Sequence, residues 1–235
     1  MDAVRVSALR ERLAGTGWLE AVGGFAGALR RSVSRRGAGE LLLVGTEAYE
    51  PWHLAAHLDD EAAWSDVPRL APTLLRHGPT AGAPAHLAHG LGRLSGARRG
   101  ATVLVVAPRA VGAPLLERVL DARRGGATVL ALDGGAAAGG PGGLANPGGL
   151  ARLDDLRGLD GLAGLDGLDG PNGLDDLRAL AHERLAVGTG AEEPFDLAQH
   201  LVSAAAAQPP PRRSALGRLA DLAARLAAPP AIGRW

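Results

Sequence analysis

A chain of 235 residues with 25 basic side chains, 25 acidic ones and no cysteine has room for one domain of ordinary size plus extensions, and it excludes disulfides, a thiolate zinc site and a cysteine nucleophile. Balanced charge with no basic cluster beyond short Arg pairs removes the electrostatic reason for a nucleic-acid partner, and every basic residue is Arg, so no Schiff-base or phosphate-binding lysine exists and a GC-rich bacterial genome is implied. No apolar run approaches about 18 residues and no signal-peptide core opens the chain, which makes a cytoplasmic protein without membrane contact the default expectation.

Residues 3–35 place Val6, Leu9, Leu13, Leu19, Val22, Phe25, Ala26, Leu29 and Val33 mostly at helical spacing. Gly15-Thr16-Gly17 and Gly23-Gly24 are expected to interrupt them, giving a helix, a turn and a second helix. Leu41 to Val44 follows as a buried strand, and Gly45-Thr46-Glu47 opens onto a helix from about Pro51 to Leu58. Pro72 to His77 is a weaker strand signal, and Ala85 to Leu94 reads as a helix closed by Ser95-Gly96.

The stretch Gly100 to Gly134 is a complete strand–helix–strand unit. Val103 to Val106 is a continuous apolar run, the pattern of a strand buried on both faces. The following helix carries Pro114 in its first turn, apolar residues at Leu115, Leu116, Val119 and Leu120, Arg123-Arg124 at its negative end and Gly125-Gly126 as the stop. The second strand, Thr128 to Leu132, must then be parallel to the first through a right-handed crossover. Ligands of such sheets sit beyond the carboxyl ends of the strands, here Ala107 to Gly112 and the residues after Leu132.

From Gly134 to Gly173 the composition shifts, with glycine at every third position from Gly158. Leucine on the same step cannot make one stripe on a 3.6-residue period, and each glycine costs a helix roughly 1 kcal/mol, so an expanded loop is expected. Collagen fails for lack of proline, and a calcium-binding nonapeptide repeat for lack of its spacing. Leu174 to Ala181 is a short helix, Arg184 to Val187 a last strand, and Glu192 to Ala207 a closing helix with Phe195, Leu197, Leu201 and Val202 on its apolar face. A proline-rich linker, 208–213, leads to Ser214, which caps an amphipathic helix with Leu216, Leu219, Leu222 and Leu226 on one side. Such a stripe docks on its own protein, on a partner or on a second copy. The elements sum to an α/β fold, a doubly wound five-stranded parallel sheet in a three-layer αβα arrangement. It comprises an N-terminal helical segment (1–38), a core (39–207) and a C-terminal helical tail (208–235).

The order of these elements over roughly residues 20–207 resembles the sugar isomerase, or SIS, fold, and within it the phosphoheptose isomerase branch. Three pieces carry the resemblance. LLLVGTEAYEPWHLAAHL, Leu41 to Leu58, joins a strand, a glycine loop and a helix bearing His-Leu-Ala-Ala. The central unit matches a strand, a phosphate loop and a helix ending in Ala-Arg-x-x-Gly. LRALAHERLAV followed by EEPFDLAQHL is similar to the family's last strand and histidine-bearing closing helix. The resemblance implies a phosphosugar ligand, aldose–ketose isomerisation and a homodimer or higher homo-oligomer.

The departures concern the chemistry. The family's Ser-x-Ser-Gly-x-Thr/Ser loop corresponds to Ala107-Pro108-Arg109-Ala110-Val111-Gly112, which has no hydroxyl and one amide fewer. Hydrogen bonds to a charged group contribute roughly 1.5–3 kcal/mol each, so losing two or three weakens phosphate binding by a factor on the order of hundreds to a million. Gly45, Thr46, Arg109 and Gly112 are what remains as a ligand set, Arg109 through a bidentate contact unless it is a plain surface arginine. His53 and His57 stand one helical turn apart, and with Glu192 and His200 they occupy the positions where the resemblance implies metal ligands. Leu54 replaces the glutamate of an HExxH zinc hydrolase. The expected cofactor is none, or zinc if this quartet assembles; otherwise these are helix-surface or subunit-contact histidines. In an active isomerase Glu47 or Glu50 would move the proton between adjacent carbons with His200 assisting. The expected function is a carbohydrate-derivative-binding protein with little or no isomerase activity; the alternatives are an active metal-assisted isomerase and a non-catalytic dimeric adaptor.

Overall fold

The computed structural model describes residues 17–79, 82, 88–135, 173–187 and 193–208. Five strands form one sheet: β1 (Leu41–Val44), β2 (Pro72–Leu75), β3 (Thr102–Ala107), β4 (Thr128–Gly134) and β5 (Glu183–Val187). Their order is β2-β1-β3-β4-β5 and every pairing is parallel, as the apolar runs LLLV and TVLVVA require of strands covered on both faces.

Alternate residues of each strand enter separate cores. Leu41, Leu43, Leu104, Val106, Leu130 and Leu132 pack under α1 (Trp18–Ser34), α2 (Trp52–Trp64) and α5 (Glu193–Ala207). Leu42, Val44, Val103, Val105 and Val129 pack under α3 (Ala113–Arg124), α4 (Leu174–Leu180) and the 3-10 turn Leu91–Gly96. Complete burial of a Leu or Val side chain contributes roughly 1.5–3 kcal/mol, so these two layers carry the fold. The result is the doubly wound αβα sandwich expected from the sequence.

Three local expectations need correction. Gly23-Gly24 does not break α1, which runs unbroken from Trp18 to Ser34 after Gly17 at φ +72°. Two glycines cost a helix interior roughly 2 kcal/mol, and burial of Val22, Phe25, Leu29 and Val33 offsets that. No α-helix reaches Leu94, since residues 88–90 are extended or irregular and Leu91–Gly96 is a 3-10 turn. α2 continues six residues past Leu58 to Trp64, because Leu58 and Ala62 keep facing the core. The first helix expected before Gly15-Thr16-Gly17, most of the glycine-leucine loop and the expected tail helix lie outside the described residues.

Candidate functional site

The strand order reverses between β1 and β3: the chain leaves β1 toward β2 on one side, and leaves β3 toward β4 on the other. Val44 pairs with Val105, so the turns that follow these strands lie side by side at the carboxyl edge, the position where doubly wound sheets open a crevice.

The turn after β1 is tight. Thr46 bridges Tyr49, whose amide donates to the Thr46 carbonyl at 3.1 Å. A Cβ on Gly45 would run into the Tyr49 carbonyl, so only glycine permits the approach. Thr46 is buried, whereas Glu47 is exposed at the tip. Glu50 is not free: both its oxygens accept from Arg76, at 2.9 and 3.0 Å from Nε, with a further 2.7 Å contact to the guanidinium. These bonds push the Arg76 guanidinium still higher above its usual value. The His77 Nε2 donates to the Gly45 carbonyl at 3.0 Å, tying the end of β2 to the same turn. Of the two carboxylates named as bases, Glu50 is thus occupied and Glu47 stands in water.

The turn after β3 is barer. Pro108 lies against Gly134, where a Cβ would strike the Pro108 carbonyl, and Val111 is held the same way against Gly173 at φ +58°. Arg109 and Gly112 are both exposed. Gly112 caps α3 without a side-chain hydrogen bond. The Leu115 and Leu116 amides both donate to its carbonyl, and Pro114 has no amide, so this helix start offers an anion few free donors.

A further seam joins α2 and α5. His57 and His200 meet there with ring centroids 4.7 Å apart at 71°. His53 instead stacks on Trp52, centroids 3.4 Å apart, and Glu192 lies outside the described residues. No three His, Asp or Glu side chains among the described residues converge as a metal would require. The donor set the resemblance implies is therefore not assembled among them. Glu61, one turn past His57, has its carboxyl pushed up by burial, with His57 pulling the other way.

Two clusters were not foreseen. Gln199 is 1% exposed, and its Nε2 donates to the Tyr49 hydroxyl at 2.8 Å and to Asp196 at 3.2 Å. The Tyr49 hydroxyl, pushed up by burial, donates to Asp196 at 3.4 Å, and its ring meets Phe195 edge to face. This joins α5 to the β1 turn, and the Gln199 Oε1 has no hydrogen-bond partner among the described residues. At the end of β4 Asp133 is 0% exposed, held by Arg184 Nε at 2.6 Å and by Arg178 at 3.0 Å. A polar residue ending the apolar run LAL was the visible sign of it.

No protein-family model matches the chain, and no curated protein matches it either. Among the described residues no helix is long and apolar enough to cross a membrane.

Proposed function

We propose that the chain is a SIS-like binding protein whose β1/β3 crevice takes a carbohydrate derivative bearing a phosphate, with little or no isomerase chemistry. The observation that carries this reading is the parallel pairing of Val44 with Val105, which sets Gly45-Thr46 beside Ala107 to Gly112 at the point where the strand order reverses. Thr46 supplies a hydroxyl, and exposed Arg109 a fork suited to a phosphate. The start of α3 adds little, since Pro114 and the Gly112 carbonyl use up its donors. Binding is accordingly weak. The engagement of Glu50 by Arg76 supports the loss of catalysis, because proton transfer between neighbouring carbons needs a base free to reach both.

Titrating the protein with ketose and aldose phosphates, while following backbone amide resonances, tests the reading. Shifts at Thr46, Arg109 and Ala113 without product are expected, and they should vanish in Arg109→Ala. Turnover at ordinary enzymatic rates, or no shift at millimolar ligand, overturns it. The rival reading, a metal-assisted isomerase in a homodimer, draws on the His57 and His200 contact. Stoichiometric zinc, lost together with turnover in His200→Ala, would establish it instead.

A further inference from the structure

The amino edge of the sheet, opposite the crevice, includes the three turns that lead into β1, β3 and β4. Each carries the same tripeptide: Arg35-Arg36-Gly37, Arg98-Arg99-Gly100 and Arg123-Arg124-Gly125. Along the chain these are three separate short pairs. The strands they feed are neighbours, in the order β1-β3-β4, so the fold sets all six arginines at one place. The turns touch backbone to backbone. The Gly39 amide donates to the Gly100 carbonyl at 2.8 Å, and the Thr128 amide to the Ala101 carbonyl at 2.9 Å. A Cβ on Gly100 would strike the Gly37 carbonyl and one on Gly125 the Ala97 carbonyl, while Gly126 rests against Arg99. With backbones this close, an anion reaches the arginines from outside, lying across the turns.

One arginine of each pair is fixed by a neutral acceptor. Arg35 donates to the Thr128 hydroxyl at 3.3 Å, Arg98 to the Ser95 carbonyl at 2.8 Å and Arg123 to the Ala179 carbonyl at 2.8 Å. The others, Arg36, Arg99 and Arg124, are exposed and make no hydrogen bond among the described residues. No carboxylate among the described residues pairs with any of the six. Nearby Glu40 and Asp121 are taken by Arg93 at 2.6 Å and Arg118 at 3.6 Å, and Glu183 pairs in the ladder with Leu130, inward of the turns. The carboxyl-end dipoles of α1 and α3, about −0.5 charge each, offset only about one of the six positive charges. The surplus is felt locally: after burial, Arg123 and then Arg35 hold the His182 imidazole below its ordinary value.

We propose that this arginine edge binds the phosphate backbone of a nucleic-acid duplex without reading its sequence. The three turns span about 10 Å, twice the roughly 4.8 Å between neighbouring strands. A duplex carries one charge per roughly 1.7 Å of axis, so about six fall within that span and about half of them face the protein, one for each unpartnered arginine. Guanidinium forks match pairs of phosphate oxygens. A single strand fits less well, because it is held by bases stacked on aromatic rings, and these turns contain none. The edge lies away from the β1/β3 crevice and does not depend on what that crevice binds.

Fluorescence anisotropy of a labelled mixed-sequence DNA duplex, titrated with the full chain, tests the proposal. Micromolar affinity is expected at about 50 mM salt, and with three phosphates neutralised it should fall about 40-fold by about 200 mM. Arg36→Glu, Arg99→Glu and Arg124→Glu combined should abolish binding. Should that variant fold poorly, Arg99→Gln alone should lower the salt slope by about one. In the complex His182 should titrate at higher pH than in the free protein, as phosphates offset Arg123 and Arg35. A saturating sugar phosphate should leave the affinity for the duplex unchanged, which separates this reading from that of the crevice. No binding at the lower salt, or equal affinity in the triple variant, overturns the proposal. So does tighter binding to single-stranded DNA, or to phosphatidylglycerol vesicles, which would assign the edge to an anionic membrane.

Discussion

Two carboxylates close the carboxyl edge of the sheet in opposite surroundings. Glu50 grips Arg76 with 36% and 28% of the two side chains exposed. Asp133 is 0% exposed between Arg178 and Arg184. The chemistry is the same, a carboxylate accepting from guanidinium forks, but water decides what each is worth. An exposed pair contributes about 0–1 kcal/mol, since both ions are well solvated apart. A buried carboxylate has no such alternative, and removing one partner strands the others at a cost of roughly 3–5 kcal/mol. The first pair shapes the turn beside the crevice; the second staples the edge strand β5 and helix α4 to β4.

The largest break in this comparison is Asp133→Ala. It leaves two half-buried guanidinium groups without their shared acceptor, and should cost roughly 3–5 kcal/mol, a large share of an ordinary domain's stability. Urea unfolding measures the loss. Amide exchange should show β5 opening before β1 and β3, because β5 pairs on one side only. A loss below about 1 kcal/mol would place Asp133 with the surface pairs.

Next comes Gly45→Ala. The new methyl would occupy the place of the Tyr49 carbonyl, and forced overpacking of this kind costs typically about 1–3 kcal/mol. It should also pull Tyr49 away from Gln199 and Asp196 and abolish the ligand-dependent shifts at Thr46. Glu50→Gln is smaller, about 0–1 kcal/mol. Raising salt to about 1 M, where screening acts over roughly 3 Å, should erase most of the Glu50 difference and leave that of Asp133 nearly intact. Equal salt sensitivity of the two variants would remove the distinction between them.

How far the sequence disclosed this edge follows from the range of the interactions. LLLV, TVLVVA and TVLAL declare buried parallel strands locally, and the glycines and prolines between them mark turns, so the parallel sandwich was legible. The Asp133 staple was not, because its partners are 45 and 51 residues away, and the polar residue after the apolar run LAL marks the position without naming them. Tyr49 and Gln199, separated by 150 residues, are the same case. The glycine pair in α1 misled for a related reason: a local cost was visible, and the tertiary burial that outweighs it was not. His53 and His57 share a helix and so suggested a pair, yet the structure joins His57 to His200 across the α2 and α5 seam, and only the topology could place those two helices side by side.

The smallest predicted effect sits at the other end of β4 and extends the contrast between wet and buried groups to a titrating one. His182 precedes β5, and its Nδ1 accepts the Val129 amide at 3.0 Å while its own amide donates to the Val129 carbonyl at 2.8 Å. The imidazole thus stands in for a strand carbonyl. Burial, and then the Arg123 guanidinium, hold it below the ordinary histidine value. A folded-state value below the unfolded one means that the unfolded chain binds the proton more readily, so stability rises with pH across that interval. The contribution is complete above about 6.5, the unfolded value, and is lost as pH falls from there toward the depressed folded value. Asparagine at this position offers an oxygen to the Val129 amide and cannot titrate. His182→Asn should therefore flatten the slope of stability against pH below about 6.5, with little change above it. An unchanged slope in urea titrations would show that the Val129 amide, and not the imidazole charge, is what the histidine serves.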